Sequence, residues 1–249
     1  MVKISGECLV IADVAGEYDA LMRLLKKAPD VLPISVGDMI DRGSKSKDVV
    51  DFFKANGKAL KGNHEHMCID FIMKRDYYAS GIWYGNGGDA TVSSYIENLD
   101  IENYAAARKA MKATGLAEHL DSLPLYFELD GGGLVTHAPL RTGLSLESAC
   151  DLGVRGFTSY LNEAQADRSI IWNRRSPSEI EGRYQIFGHN SGWGLSYMEE
   201  DKEPWGVCLD DSRKKNLTAM HWPSKEIFQE SFGEVYVPPF FGKRVIKSL

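Results

Sequence analysis

The chain has 249 residues, 43% of them apolar and 26% charged, with a net charge of −6. That length can bury a full core, as one large domain or two small ones, and the acidic balance argues against a dedicated nucleic-acid surface. No apolar run approaches the length of a membrane span and "MVKISGECLV" is too short and mixed for a signal peptide, so a cytoplasmic protein with no membrane partner is expected.

Elements alternate regularly in the first third. "GECLVIADV" reads as a buried strand and "YDALMRLLKKA" as an amphipathic helix with Leu21, Leu24 and Leu25 on one side. "VLPISVGD" is a second strand, "SKDVVDFFKAN" a second helix, "GKALKGN" a third strand, and "HEHMCIDFIMKR" opens a third helix. A β-α-β-α-β-α series implies an α/β fold with a mostly parallel sheet and right-handed crossovers. Residues from about 66 to 123 are helical in pattern, interrupted by "GNGGDA", and resemble a cap inserted into the sheet domain. Strands return with "LPLYFELDGGGLVTHA", whose Asp130–Gly133 turn suggests a hairpin, then "YQIFGHN", "GVCLDD" and "NLTAMHW". One domain is therefore expected over residues 1–223, followed by a tail, 224–249, with no assigned role. Cys8, Cys68, Cys150 and Cys208 lie far apart with no CxxC, as expected of buried reduced thiols.

Acidic, amide and histidine side chains collect at the strand ends. Asp13 closes the first, "GDMIDRG" (37–43) the second and "GNHE" (62–65) the third; His137 and His189 close two later strands. In an open α/β sheet ligands bind at the carboxyl edge of the strands, so these endings converge on one crevice. Asp13, Asp38 and Asn63 are spaced by about 25 residues, one βα unit, which puts them on neighbouring strands. Each motif alone has a plainer reading: Asp13 as a helix cap, DRG as a turn, a single histidine as a structural residue. His66, His119 and His221 stay in that structural class. The combination, in this order, carries the argument.

Carboxylate, imidazole and amide oxygen together suit Mn, Fe or Zn better than Ca. One carboxylate can bridge two ions about 3.5–4 Å apart, the separation used for in-line displacement at phosphorus, and Asp38 is the natural bridge. His64 directly follows Asn63, so a better role for it is general acid toward a leaving oxygen, with Asp41 holding its ring. Arg42 offers a planar fork for phosphate oxygens, and Arg174 in "IIWNRR" a second. This chemistry is phosphoryl hydrolysis.

These residues resemble the phosphoprotein phosphatase branch of the calcineurin-like metallophosphoesterases, with its D-x-H-G, GDxxDRG and GNHE motifs, and within it the lambda-phage type of serine/threonine phosphatase. "NGG" at 86–88, "IWNR" and "NLT" at 216–218 fall in the same order, so the resemblance runs from about Val10 to Trp222. It implies a β-sandwich flanked by helices in place of a single parallel sheet. It also implies two divalent ions, Mn first, with Fe or Zn compatible. One ion would be held by Asp13, Asp38 and the residue two after Asp13, the other by Asp38, Asn63, His137 and His189. Arg42, Arg174 and Asn63 would meet the phosphate, and His64 with Asp41 would protonate the leaving group.

Three departures stand out. "GHN" replaces GHT and "HAP" replaces HAG or HAD, which reshapes the rim without removing a ligand. Ala15 replaces the histidine of D-x-H-G, and a methyl group cannot ligate. The first expectation is a protein phosphatase acting on phosphoserine, phosphothreonine and also phosphotyrosine, inactivated or impaired by Ala15. The alternatives are a symmetrical diadenosine-tetraphosphate-type hydrolase acting on a nucleotide, or a phosphate-binding pseudoenzyme. Alanine is the usual deliberate truncation, so an engineered inactive mutant is expected, with natural loss or a one-metal enzyme as alternatives.

Overall fold

A computed structural model describes residues 2–74, 77–97, 103–141, 143, 145–154, 166–200 and 203–233. The alternating first third forms β1 (Lys3–Ile4), β2 (Cys8–Ile11), α1 (Tyr18–Leu25), β3 (Leu32–Ser35), α2 (Ser46–Asn56) and β4 (Lys58–Ala59). β2, β3 and β4 pair in parallel, Ile11 beside Ser35 and Ser35 beside Ala59. Parallel neighbours need a crossover, and α1 and α2 provide it. Leu21 and Leu24 of α1 are fully buried, as the 3.6-residue pattern requires, while Leu25 is only partly covered.

Five helices follow: α3 (Asn63–Lys74), α4 (Tyr77–Gly85), α5 (Gly88–Tyr95), α6 (Tyr104–Lys112) and α7 (Leu116–Asp121). The chain then forms the antiparallel hairpin β5 (Tyr126–Leu129) and β6 (Gly133–Thr136), helix α8 (Leu146–Val154), and strands β7 (Tyr184–Phe187), β8 (Ser196–Glu200) and β9 (Glu203–Cys208). It ends with β10 (Asn216–Trp222) and β11 (Glu226–Ser231).

The strands sort into two mixed sheets, β1-β5-β6-β7-β9-β8 and β11-β10-β2-β3-β4. This corrects the single parallel sheet read from the alternation and agrees with the sandwich that the family resemblance implies. Only one end of the second sheet keeps the parallel run, because β10 lies antiparallel on the other flank of β2. The tail boundary also moves. β11 pairs residue for residue with β10, Thr218 opposite Gln229, so the sheet continues past residue 223. Its half-exposed alternation is that of an edge strand, which a search for buried apolar runs passes over. The aromatic and proline-bearing remainder, 234–249, lies outside the described residues.

Period-two alternation explains the layering. Cys8 and Val10 of β2 face a core shared with Phe127, Val135 and Ile186 of the other sheet. Leu9 and Ile11 face the opposite way, against Leu21 and Leu24 of α1 and Phe53 of α2. Leu134 of β6 turns outward to meet Ala149 of α8 and Ile170. The order is helix, sheet, sheet, helix. Each fully buried aliphatic side chain contributes about 1.5–3 kcal/mol, and both faces of β2 are filled this way.

The helices after β4 extend the core that α1 and α2 share with β2, adding an aromatic cluster to it. Trp83 is fully buried, with its ring 4.8 Å from that of Phe71, and Tyr84 lies 4.5 Å from Tyr104. Gly88, at the start of α5, sits against the Trp83 ring: a Cβ there would lie 2.4 Å from Cδ2. Gly88→Ala should therefore overpack this core by about 1–3 kcal/mol, a fall in Tm of about 2–12 °C for a chain of this size. Thermal unfolding followed by circular dichroism checks it; an unchanged Tm would contradict this packing.

Candidate metal centre and active site

Asp13 lies two residues past β2, Asp38 three past β3, Asn63 at the start of α3 just after β4, His137 directly after β6 and His189 two past β7. The sequence reading has these endings meet along one sheet; they meet instead where the carboxyl ends of strands from both sheets come together. Three N–H donors stitch that edge. His137 Nδ1 donates to the Val36 carbonyl at 3.1 Å, the Gly188 N–H to the His137 carbonyl at 2.9 Å, and the His189 N–H to both Asp13 oxygens at 3.2 Å. As a result one ligand atom each from Asp38, His137 and His189 falls within 4.8 Å of the others, and all three residues are buried.

The donor set fits a cation. With Nδ1 bonded to Val36, His137 turns its Nε2 lone pair toward Asn63 Oδ1 at 2.9 Å and Asp38 Oδ1 at 3.4 Å, so acceptor faces acceptor. His189 is held the same way by the Trp172 carbonyl, and its Nε2 is buried without a partner. An imidazole fixed through one nitrogen with the other free is the usual arrangement of a metal-binding histidine. Burial drives both rings below the ordinary histidine range, and for His189 the neighbouring Arg174 adds to it. Neutral rings are what a metal requires.

Asp13 stands beside this group rather than within it. Burial, then the charges of Asp210 and Asp38, push its carboxyl well above the usual range, a condition a bound cation would reverse. Ala15 is 5% exposed and offers only its methyl group. Its backbone is nonetheless held firmly: Ala15 N–H donates to the Asp38 carbonyl at 2.9 Å, Gly16 N–H to Met39 at 2.8 Å, and Gly43 N–H to Ala15 at 2.9 Å. Ala15 also has a positive φ of 50°, as do Asp38, Asp41, Arg42 and His189 in the same edge. Such conformations each cost about 1–3 kcal/mol and persist only where surroundings over-determine them. Glu65 is part of that restraint, accepting the Asp38, Met39 and Gly62 N–H groups at 2.8 Å each.

His64 and Asp41 lie together, Nδ1 to Oδ2 at 2.5 Å. Burial opposes charge on this ring, but Asp38 and Asp41 outweigh it and its pKa lies above the ordinary value. On the other side, Arg42 Nη2 is 3.1 Å from His64 Nε2, so in this state Nε2 accepts. Arg174 is exposed and donates to the His189 carbonyl at 3.2 Å, at the rim. His66, His119 and His221 lie on α3, α7 and β10, outside the ligand group.

The structure adds residues that the motifs do not mark. Trp83 Nε1 donates to Asp41 Oδ2 at 2.8 Å, and Thr91 Oγ1 donates to Oδ1 at 2.6 Å. The Asp41 N–H in turn reaches Thr91 Oγ1 and Ser46 Oγ. Gly87, at φ 99°, accepts the Arg42 N–H at 3.1 Å and leaves no room for a Cβ, which would lie 2.8 Å from Arg42 N. Thus α4, α5 and the turn between them clamp both Asp41 and Arg42. Asp210, 2% exposed and two residues past β9, is the other addition. "GVCLDD" carried the same signal as the other sites, an acidic residue ending a buried strand.

A family model described as calcineurin-like phosphoesterase matches residues 7–211. Serine/threonine-protein phosphatase 2 of Escherichia coli strain K12 is 38% identical over 85 residues, a stretch covering 32% of this chain and 38% of that protein. Among solved structures, a protein assigned as a diadenosine tetraphosphatase superposes with a TM-score of 0.57 at 18% identity, covering 94% of this chain and 98% of that one. A serine/threonine phosphatase from Saccharomyces cerevisiae gives 0.54 at 16% identity, covering 96% and 85%. These two likenesses speak for the fold. The family match covers β2 to β9, strands of both sheets, and with them every ligand-bearing strand ending described above, and on it the chain belongs to the calcineurin-like phosphoesterases.

Proposed function

We propose that the chain is a two-metal phosphomonoester hydrolase of the serine/threonine protein phosphatase type, impaired at its first metal by Ala15. The observation that supports it most is the meeting of Asp38, His137 and His189 beside the His64–Asp41 pair and Arg42. The partial match to the Escherichia coli phosphatase favours a phosphoprotein substrate over a nucleotide.

Asp38, Asn63, His137 and His189 would hold one ion, and Asp13 with Asp38 the other. Two such ions, Mn first with Fe or Zn compatible, supply Lewis acidity toward phosphate and activate water near neutral pH. Arg42 and Arg174 bind phosphate oxygens through charge-assisted hydrogen bonds, with Asn63 beside them. Arg42 now faces His64 Nε2; when its guanidinium turns to the phosphate, Nε2 is free to carry a proton to the leaving oxygen. Asp41 fixes the ring through Nδ1, and Trp83 and Thr91 fix Asp41.

Among the described residues no helix is long and apolar enough to cross a membrane. The four cysteines are free, three of them buried and Cys150 partly covered. Both features accord with a cytoplasmic enzyme.

Ala15→His should raise Mn-dependent hydrolysis of p-nitrophenyl phosphate by about a hundredfold, the cost of a misplaced reacting group. The same variant should prefer a phosphopeptide to diadenosine tetraphosphate. Preference for the dinucleotide would overturn the substrate assignment, and a variant that binds two Mn yet stays inert would leave a pseudoenzyme. In that background, His64→Gln should slow hydrolysis of an alkyl phosphate by about 10²–10⁴-fold and of p-nitrophenyl phosphate far less, because nitrophenolate leaves without a proton. Equal losses on the two esters would exclude His64 as the acid.

A further inference from the structure

A cavity of about 180 Å³ between the β5–β6 hairpin and α8 has no part in the reading above. Leu134, Leu140, Ala149 and Ile180 give it an apolar lining, and Arg141, Arg168 and Arg183 add positive charge. Sites for whole small molecules run to about 300–1,000 Å³. This one has room for a single side chain.

Two carboxylates share the cavity, and both are already paired. Glu128 Oε1 accepts from Arg183 Nη2 and Asp167 Oδ2 from Arg175 Nε, each at 2.9 Å. Arg141 and Arg168 are exposed and form no ion pair with any described residue. A chain of net charge −6 thus keeps two uncommitted cations at the mouth of an apolar cavity. That combination complements a side chain that is aliphatic along its stem and anionic at its tip.

The chain itself joins the cavity to the ligand edge. Pro139 and Leu140 line it two and three residues after His137, and Asn173 lines it one residue before Arg174. Asn173, 1% exposed, donates from Nδ2 to the Pro139 carbonyl at 2.7 Å, while Arg174 reaches the His189 carbonyl. From His137 to Leu140 the backbone can span at most about 11 Å. An extended peptide covers that distance in about three residues.

We propose that this cavity is a specificity subsite, taking a glutamate side chain of the substrate within about three residues of the phosphoserine. The methylenes lie on the apolar lining, and the carboxylate meets the guanidinium forks of Arg141 and Arg168. The proposal rests on the protein phosphatase reading and deepens it by naming a substrate class, acidic phosphopeptides. Arg42 and Arg174 keep the phosphate, so the subsite selects which phosphoprotein is held and not which bond is broken.

Peptide binding to the unaltered chain loaded with Mn, read by fluorescence anisotropy, tests this. One peptide carries glutamates on both sides of the non-hydrolysable phosphonate analogue of phosphoserine, and a second has alanines in their place. A third keeps the glutamates around an unmodified serine. The acidic phosphonate peptide should bind about 5–30-fold tighter than the alanine one, the worth of two exposed ion pairs, and salt should narrow the gap. Arg141→Ala with Arg168→Ala should abolish the gap and leave the affinity of the alanine peptide unchanged. Arg141→Glu with Arg168→Glu should turn the preference toward a lysine-flanked phosphonate peptide, which also shows that the variant is folded. Equal affinity of the unaltered chain for the acidic and alanine phosphonate peptides would overturn the inference, while the phosphatase reading stands. So would an equal loss for both peptides in the double alanine variant, which would make the arginines structural. A serine peptide bound as tightly as the acidic phosphonate peptide would make the cavity a site unrelated to the phosphate, and likewise overturn it. If neither phosphonate peptide bound, the protein phosphatase reading itself would fall.

Discussion

The hydrogen bond from His137 Nδ1 to the Val36 carbonyl crosses from one sheet to the other at the edge where the reactive groups gather, and the rest of the site depends on it. It sets the tautomer of His137, which turns Nε2 toward Asp38 and Asn63 on the opposite sheet. It also brings β6 and β7 level with β2, β3 and β4, so that His189 meets Asp13 through its own N–H. A parallel sheet alone could line up Asp13, Asp38 and Asn63 but would supply no imidazole. The sandwich core beneath, where Cys8 and Val10 pack against Phe127 and Ile186, holds the two edges at this separation.

Holding acidic groups this close has a conformational cost, visible in the positive φ angles of Ala15, Asp38, Asp41, Arg42 and His189. The strain is distributed along one edge and restrained by groups that never face the ligand site directly. Glu65 caps three N–H groups of the two turns that carry Asp38 and Asn63. Thr91 and Ser46 do the same for Asp41. Preorganisation of this kind allows buried carboxylates to keep one geometry whether or not a cation neutralises them.

Short apolar runs ending in Asp, Asn or His made the ligand edge legible before any coordinates, because strand, turn and reactive residue lie within one contiguous stretch. The helix over Ser46–Asn56 was legible for the same reason. The division into two sheets and their short or edge strands were not. β1 is two residues long, β8 and β11 are half-exposed edge strands, and none has the buried period that marks a strand from sequence. Trp83 and Thr91 reach Asp41 across 42 and 50 residues, a tertiary contact with no local signature. Asp210 also satisfied the strand-end rule in "GVCLDD", but no family motif marks it.

Position 15 then has a definite physical meaning. Its N–H and carbonyl are still bonded to the Asp38 and Gly43 turns, its φ is still positive, and it is still buried. The loss is confined to a side chain, and the local negative charge is unchanged by it, since imidazole binds metal in its neutral form. With Asp13 and Asp38 both buried along this edge, the demand for a cation therefore survives the loss of a neutral ligand. Charge governs whether an ion is retained, whereas donor placement governs where a reacting oxygen sits, so the two properties need not fail together. Trp83, Thr91 and Gly87 reinforce that division. They fix Asp41 and Arg42 from the helical insert, on the leaving-group side, and their contacts do not involve position 15.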